Sequence, residues 1–172
     1  MAQIDELALQ KLLEPSANKG RPRLIRRAEV SDLALLQAAK RLEVALPHSY
    51  CAFVTRMGTV VLDDELTLLP PEELYDLDIP DTPFNGWIVI AIDGTGNLLA
   101  FDPDDPMVEG ERHVKYVSHD PFGHGVLAPT FAALIEQLAA SSASYLGALE
   151  RLARIEEVDA PPQLRKPWWK LW

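Results

Sequence analysis

Four side chains able to ligate a metal or move a proton, His113, His119, Asp120 and His124, fall within twelve residues. Imidazole and carboxylate groups suit zinc or iron. Their spacing matches no ligand helix, and no second cysteine or acidic motif joins them, so the reading is structural and metal-free. His113 is expected on a strand surface, and His119-Asp120 at a strand end before Pro121. Ser118-His119-Asp120 holds the residue types of a hydrolase triad. Consecutive side chains on an extended chain point alternately to opposite faces, however, and cannot converge on one reacting atom. Gly94-x-Gly96 is half of a dinucleotide fingerprint, but Leu99 stands where the third glycine belongs and a strand follows instead of a helix. The segment reads as a hairpin turn. Cys51 is the single cysteine, which excludes an internal disulfide and fits a buried, inert thiol in a reducing compartment. No set of residues converges for catalysis, and the chain is expected to be no enzyme and to hold no cofactor.

Charge is distributed more tellingly than chemistry. Residues 57–111 carry fourteen acidic side chains and no Lys or Arg, whereas the flanking thirds are close to balanced within a net charge of −10. Such a field repels nucleic acid and attracts cationic proteins. Carboxylates crowded without cations also repel one another, which a role in solubility alone does not require. The candidate partner-binding residues are therefore Asp63, Asp64, Glu65, Glu72, Glu73, Asp76, Asp78 and Asp81, with Asp104, Asp105, Glu109 and Glu111 as a second cluster. Tyr75 or Trp87 would supply an aromatic anchor, the residue type enriched at binding hot spots.

The elements that must position these groups follow from periodicity. Residues 3–14 read as a short amphipathic helix ending before Pro15, followed by a polar connector from Ser16 to Pro22. A second helix starts at the N-cap Ser31, with Leu35, Leu36, Ala39 and Leu42 on one face. A third runs from His48 to Met57 and stops at Gly58. Strands are expected at 59–62 and 66–69 around an Asp63-Asp64-Glu65 turn, at 87–92 and 98–101, and at 113–117, with an acidic loop or short helix from Pro70 to Pro83. Phe131, Leu134, Ile135 and Leu138 form a helical stripe, with a second segment carrying Leu146, Leu149, Leu152 and Ile155. Trp168, Trp169 and Trp172 close the chain. They either fold back on the body or anchor it to a partner or membrane, and two nearby lysines on seven residues favour the body. The start Met1–Glu6 has no basic region, and no apolar run reaches the roughly 18 residues of a membrane span, which predicts a soluble, cytoplasmic protein. Helices, then an antiparallel sheet, then helices predict an α+β fold of about four to six strands with helices on one face and the other face wet. The organisation is an N-terminal helix and connector (1–30), a main domain (31–140) and a C-terminal helical extension with a Trp-rich tail (141–172).

The order of motifs resembles the SUKH superfamily. Leu46-Pro47-His48-Ser49-Tyr50 through Phe53, Val54 and Gly58 is similar to its "LP-x-x-Y-x-x-F" helix. Ile90 to Asp102 looks like its central hairpin, His113 to Asp120 like the next strand, and Ala128 to Ile135 like its closing helix. The superfamily includes fungal cell-wall assembly regulators and bacterial immunity proteins that neutralise a cognate toxin by direct binding. The resemblance implies a non-enzymatic protein-binding module without cofactor, most simply an immunity protein for a cationic, nucleic-acid-targeting toxin domain. The alternative it implies is a regulatory scaffold binding cell-wall or housekeeping partners. Neither nucleic acid nor membrane is an expected partner.

Overall fold

A computed structural model describes residues 4–15, 22–141 and 154–160. The chain order is α1 (Glu6–Leu13), β1 (Leu24–Ala28), α2 (Asp32–Arg41), α3 (His48–Met57), β2 (Thr59–Leu62), β3 (Leu66–Leu68), a 3-10 turn at Pro71–Glu73, β4 (Tyr75–Asp76), β5 (Ile88–Asp93), β6 (Leu98–Phe101), β7 (Val114–His119), β8 (Phe122–Ala128), α4 (Phe131–Ala140) and β9 (Glu156–Glu157). The strands make one antiparallel sheet in the order β1-β2-β3-β5-β6-β7-β8-β9, and β4 pairs with β5 beside β3. The α+β class stands, but among the described residues the sheet has nine strands where four to six were expected. The additional strands are β1, β4, β8 and β9.

The helix starts follow local chemistry. Ser31 Oγ accepts from Ala34 N at 3.2 Å and Thr130 Oγ1 from Ala133 N at 3.0 Å, each satisfying an amide that the first turn leaves open. The β2–β3 connection has three residues, of which Asp63 (φ 54°) and Asp64 (φ 65°) both occupy left-handed conformations and Glu65 N donates back to the Leu62 carbonyl at 2.9 Å. Hairpins favour that geometry because it matches the strand twist, and aspartate tolerates it. Gly58 (φ 76°) ends α3, and a Cβ there would run into the carbonyl of Ala28, so its lack of a side chain lets β1 lie against the end of the helix.

The core lies between the sheet and α1, α3 and α4. Tyr50 packs edge to face on Phe101 at 5.5 Å and on Phe131 at 5.3 Å between ring centroids, and Phe53 meets Phe131 at 5.3 Å. Such aromatic pairs contribute about 0.5–1.5 kcal/mol each beyond the area they bury. The other face of the sheet is wet only in part, at Thr67 and Val126. β5 and β6 are buried on both faces apart from a half-buried Ile92. The segment between β4 and β5 closes that side, with Phe84 packed on Phe122 at 5.3 Å and Trp87 on His124 at 5.3 Å.

Toward the C-terminus the expected helix carrying Ile155 gives way to an extended chain. β9 pairs with β8, and Ile155 and Val158 pack against the core. Gly123 and Gly125 permit this, because a Cβ on either would strike the backbone of Glu156 or Arg154. The expectations for Ser16 to Arg21, for Leu146, Leu149 and Leu152, and for the tail from Lys166 to Trp172 lie outside the described residues.

The Gly58→Ala substitution should cost more than about 2 kcal/mol, since it adds a backbone clash to a left-handed conformation. Denaturant unfolding of the two proteins measures it, and a cost below about 1 kcal/mol would contradict the close approach of Ala28.

Candidate partner-binding surface

Two of the twelve candidate carboxylates turn inward and so lie off the surface they were expected to form. Asp63 accepts from Arg23 Nε and Nη2, both at 2.8 Å, and the two side chains are only 6% and 12% exposed. Arg23 also donates to the carbonyls of Leu138 (2.8 Å) and Ser141 (2.7 Å), so the Asp63 pair holds the end of α4. Glu111 is 6% exposed. Its Oε1 accepts from Ser49 N at 2.9 Å and its Oε2 from Ser49 Oγ at 2.6 Å, and Ser49 Oγ in turn accepts from Ala132 N at 3.2 Å. The Glu111 carboxylate therefore stabilises the N-terminus of α3 directly and that of α4 through one hydroxyl.

Asp105 is held by Lys115 and His113. Lys115 Nζ and His113 Nδ1 both stand 3.0 Å from its Oδ2. Partial burial works against ionisation there, but the hydrogen bonds and charges of Lys115 and His113 outweigh it and keep the Asp105 pKa below the ordinary carboxylate range. Lys115 also lies over the Trp87 ring, 5.5 Å from its centroid. Trp87 is 4% exposed and cannot serve as a surface anchor, because the outer face of the sheet needs it as cover. Tyr75 is half-buried, and burial pushes its hydroxyl pKa up to about 12.

Asp64, Glu72, Glu73, Asp76, Asp78, Asp81, Asp104 and Glu109 are exposed, and Glu65 is half-buried. Strand register divides them between the two ends of the sheet. Asp76 faces Ile88 on β5, and Ile88 faces Phe101 at the end of β6. Asp76, Asp78 and the Asp102–Asp105 turn therefore leave the sheet at the same end. The Pro71–Glu73 turn leads into this end, and Arg41 fixes it by donating to the carbonyl of Pro71 at 3.0 Å. Leu66 instead faces Asp93, which puts Asp64 and Glu65 at the opposite end, where the Glu65 carbonyl accepts from Gly94 N at 2.7 Å. Among the described residues, Glu72, Glu73, Asp76, Asp78 and Asp81 enter no ion pair.

The residues with chemistry of their own are each engaged locally. His113 pairs with Asp105. Asn97 Oδ1 accepts from the backbone of His119 at 3.1 Å and lies 2.7 Å from its Nδ1. His124 packs on Phe84 and Trp87; burial lowers its pKa, Glu156 opposes this, and Lys115 reinforces it. Burial, with Glu111 and Asp32 nearby, pushes the Cys51 thiol up to about 11, which leaves little thiolate at neutral pH. Asp93, the one acid of the 57–111 stretch besides Asp102 that was left out of the candidate set, is buried. Its Oδ1 accepts from Thr95 N, Thr95 Oγ1 and Asn97 N at 2.7–2.9 Å and shapes the β5–β6 turn. An Asp-Gly-x-Gly-Asn turn hints at that role in the sequence, whereas nothing local signals the burial of Asp63 or Glu111.

Glu111→Ala should cost about 3 kcal/mol, since it strips a buried amide and hydroxyl of a charged acceptor, whereas Glu72→Ala should stay within about 0.5 kcal/mol. Chemical denaturation of both variants separates the structural carboxylate from the exposed one. Asp105, with its lowered folded-state pKa, stabilises the fold above its unfolded pKa, and that contribution is lost as the pH falls through the folded value. Lys115→Met should therefore raise the Asp105 pKa, as read from its carboxyl carbon shift in an NMR titration.

The SMI1 / KNR4 family (SUKH-1) model matches residues 29–137, from the approach to α2 through most of α4. No curated protein and no solved structure gives a significant match. The matched span covers well over half of the 172 residues and contains the helix–hairpin–helix order described above, so the chain belongs to the SMI1 / KNR4 family (SUKH-1).

Proposed function

We propose that this protein is a non-enzymatic binding module that neutralises a cognate, nucleic-acid-targeting toxin, using the acidic end of its sheet. The observation that carries this reading is the set of five exposed carboxylates between Glu72 and Asp81 without an ion pair among the described residues. Leaving such charges uncompensated destabilises a fold through self-repulsion, and a cationic partner removes that cost on binding. Enzymes that cleave nucleic acid present basic clefts to phosphates, and a row of carboxylates can fill such a cleft in their place. The superfamily's bacterial immunity proteins, which act by binding, support the same assignment. Catalysis is no part of the proposal: His113, His119 and His124 each have a structural partner, and Ser118 is buried.

Charges at the acidic end would act mainly on the association rate and weaken with salt. The test starts from the partner retained by the full chain in its native cell. That protein should be toxic when expressed alone and harmless when co-expressed with this chain. Reversal of Glu72 and Glu73 to Lys, together with Asp76→Lys and Asp78→Lys, should slow association at least tenfold at low salt, with the difference shrinking at high salt. Reversal of Glu29, on the linker between β1 and α2, is the control and should have little effect. Unchanged association in the folded quadruple variant would leave the acidic end merely solvated and defeat the proposal.

A further inference from the structure

The two edges of the sheet are treated differently. At the β8 edge the chain covers its own backbone with Glu156 and Glu157, over glycines that leave room for no Cβ. At the other edge, β1 pairs with β2 alone, and no described strand lies on its outer side. The second half of β1 is exposed through Arg26, Arg27 and Ala28, and a register shift between Arg26 and Ala28 leaves Arg27 outside the pairing with β2. Beside it lies a cleft of about 380 Å³ bounded by Arg26, Arg27, Glu29, Thr55, Arg56 and Gly58.

The charges of this cleft run against the sign of the whole protein. Three guanidinium groups line it and Glu29 is its one acid. Arg26 Nη2 donates to the carbonyl of Arg56 at 3.2 Å and contacts the Met57 sulfur at 3.3 Å, so it binds the negative end of α3. Arg56 makes a two-pronged pair with Glu6, at 2.6 and 2.7 Å. Arg27 has neither a hydrogen bond nor an ion pair among the described residues.

From these observations we infer that the outer edge of β1 takes an extended acidic peptide segment of a partner protein as an added strand, with Arg27 pairing its carboxylates. An open strand edge supplies main-chain hydrogen bonds, and flanking side chains select among peptides. A folded nucleic acid could not use the strand's alternating donors and acceptors. A peptide uses both features of the site. This surface is separate from the carboxylates proposed for the toxin, and its test involves none of them.

The probe is an acetylated octapeptide of alternating Glu and Val, titrated into the isotopically labelled full chain and followed by amide NMR shifts. Shifts should concentrate on Leu24 to Ala28 and around Gly58 and saturate. Binding should weaken at least tenfold for the matching Lys–Val peptide, for a peptide N-methylated at alternate amides, and for Arg27→Glu. That substitution is at an exposed side chain and should leave the rest of the spectrum unchanged. Absence of shifts on β1, or equal binding of the Lys–Val peptide, would overturn the inference and reduce the arginines to a guard against edge pairing. Equal saturation of the same amides by a short oligothymidylate would overturn it too, by making the cleft a general polyanion site.

Discussion

One buried carboxylate ties together the parts of this fold that lie far apart in sequence. α3 begins after Leu46-Pro47 and has no side-chain cap of its own. Its first amides must still find acceptors, because a buried amide without one costs about 1–3 kcal/mol. The connection between β6 and β7 provides them: His48 N donates to the Gly110 carbonyl at 2.9 Å and Ser49 N to Glu111. The Ser49 hydroxyl gives its proton to Glu111 and accepts from Ala132 at the start of α4. Two helix N-termini, both favourable places for negative charge, thus share one carboxylate. Gly110 (φ 82°) makes the approach possible, since a side chain there would collide with the His48 ring. With the helices fixed in this way, Tyr50, Phe53 and Phe131 meet Phe101 at the angles observed. Tyr50 sits in that cluster with its hydroxyl fully buried and no hydrogen-bond partner among the described residues, so its ring packing is what holds it.

The same logic divides the acids of the middle third into two kinds. Asp63, Asp93 and Glu111 are internal acceptors, each meeting donors that a neutral side chain would satisfy less well. Asp105 is intermediate, shared between Lys115 and His113. Glu72, Glu73, Asp76, Asp78 and Asp81 enter no ion pair among the described residues. A count of charges along the sequence cannot make this distinction, since the internal and external acids share one composition and one stretch of chain.

What the sequence disclosed was local, and what it concealed was tertiary. The stripes of α3 and α4, the Ser31 cap, the Gly58 stop and the β5–β6 hairpin were readable from spacing and turn chemistry, whereas the α2 face was misjudged: Leu36 is 67% exposed and Ala38 is buried beside Leu35. β1 escaped notice because Leu24-Ile25-Arg26-Arg27-Ala28 lacks alternation, as expected of an edge strand exposed on both faces over its second half. β8 was hidden by Gly123 and Gly125, which weaken strand propensity but admit the chain near Arg154–Glu157. β9 consists of two glutamates, whose strand conformation comes from pairing with β8 and not from preference. Trp87 was legible as a large aromatic beside a strong strand, but its burial depends on Phe84 and His124 arriving from elsewhere. The Asp63–Arg23 pair spans 40 positions and the Glu111–Ser49 pair 62, beyond any local pattern.

The covering of the outer sheet face has a consequence for how the protein can recognise anything. An antiparallel sheet with one wet face offers that face for binding, but here Phe84, Trp87 and the chain around them occupy it. The helix-bearing face is likewise taken up by the core. The exposed charges accordingly gather at the rims: the strand ends, where turns hold carboxylates, and the edge at β1, on whose outer side no described strand lies. These rims differ in sign, with Glu72, Glu73, Asp76 and Asp78 at one strand end and Arg26, Arg27 and Arg56 beside β1. Rim residues carry little of the folding energy, as surface substitutions rarely change stability by more than about 0.5 kcal/mol. A scaffold fixed by Glu111 and the aromatic core can thus keep its fold while the residues of its rims change.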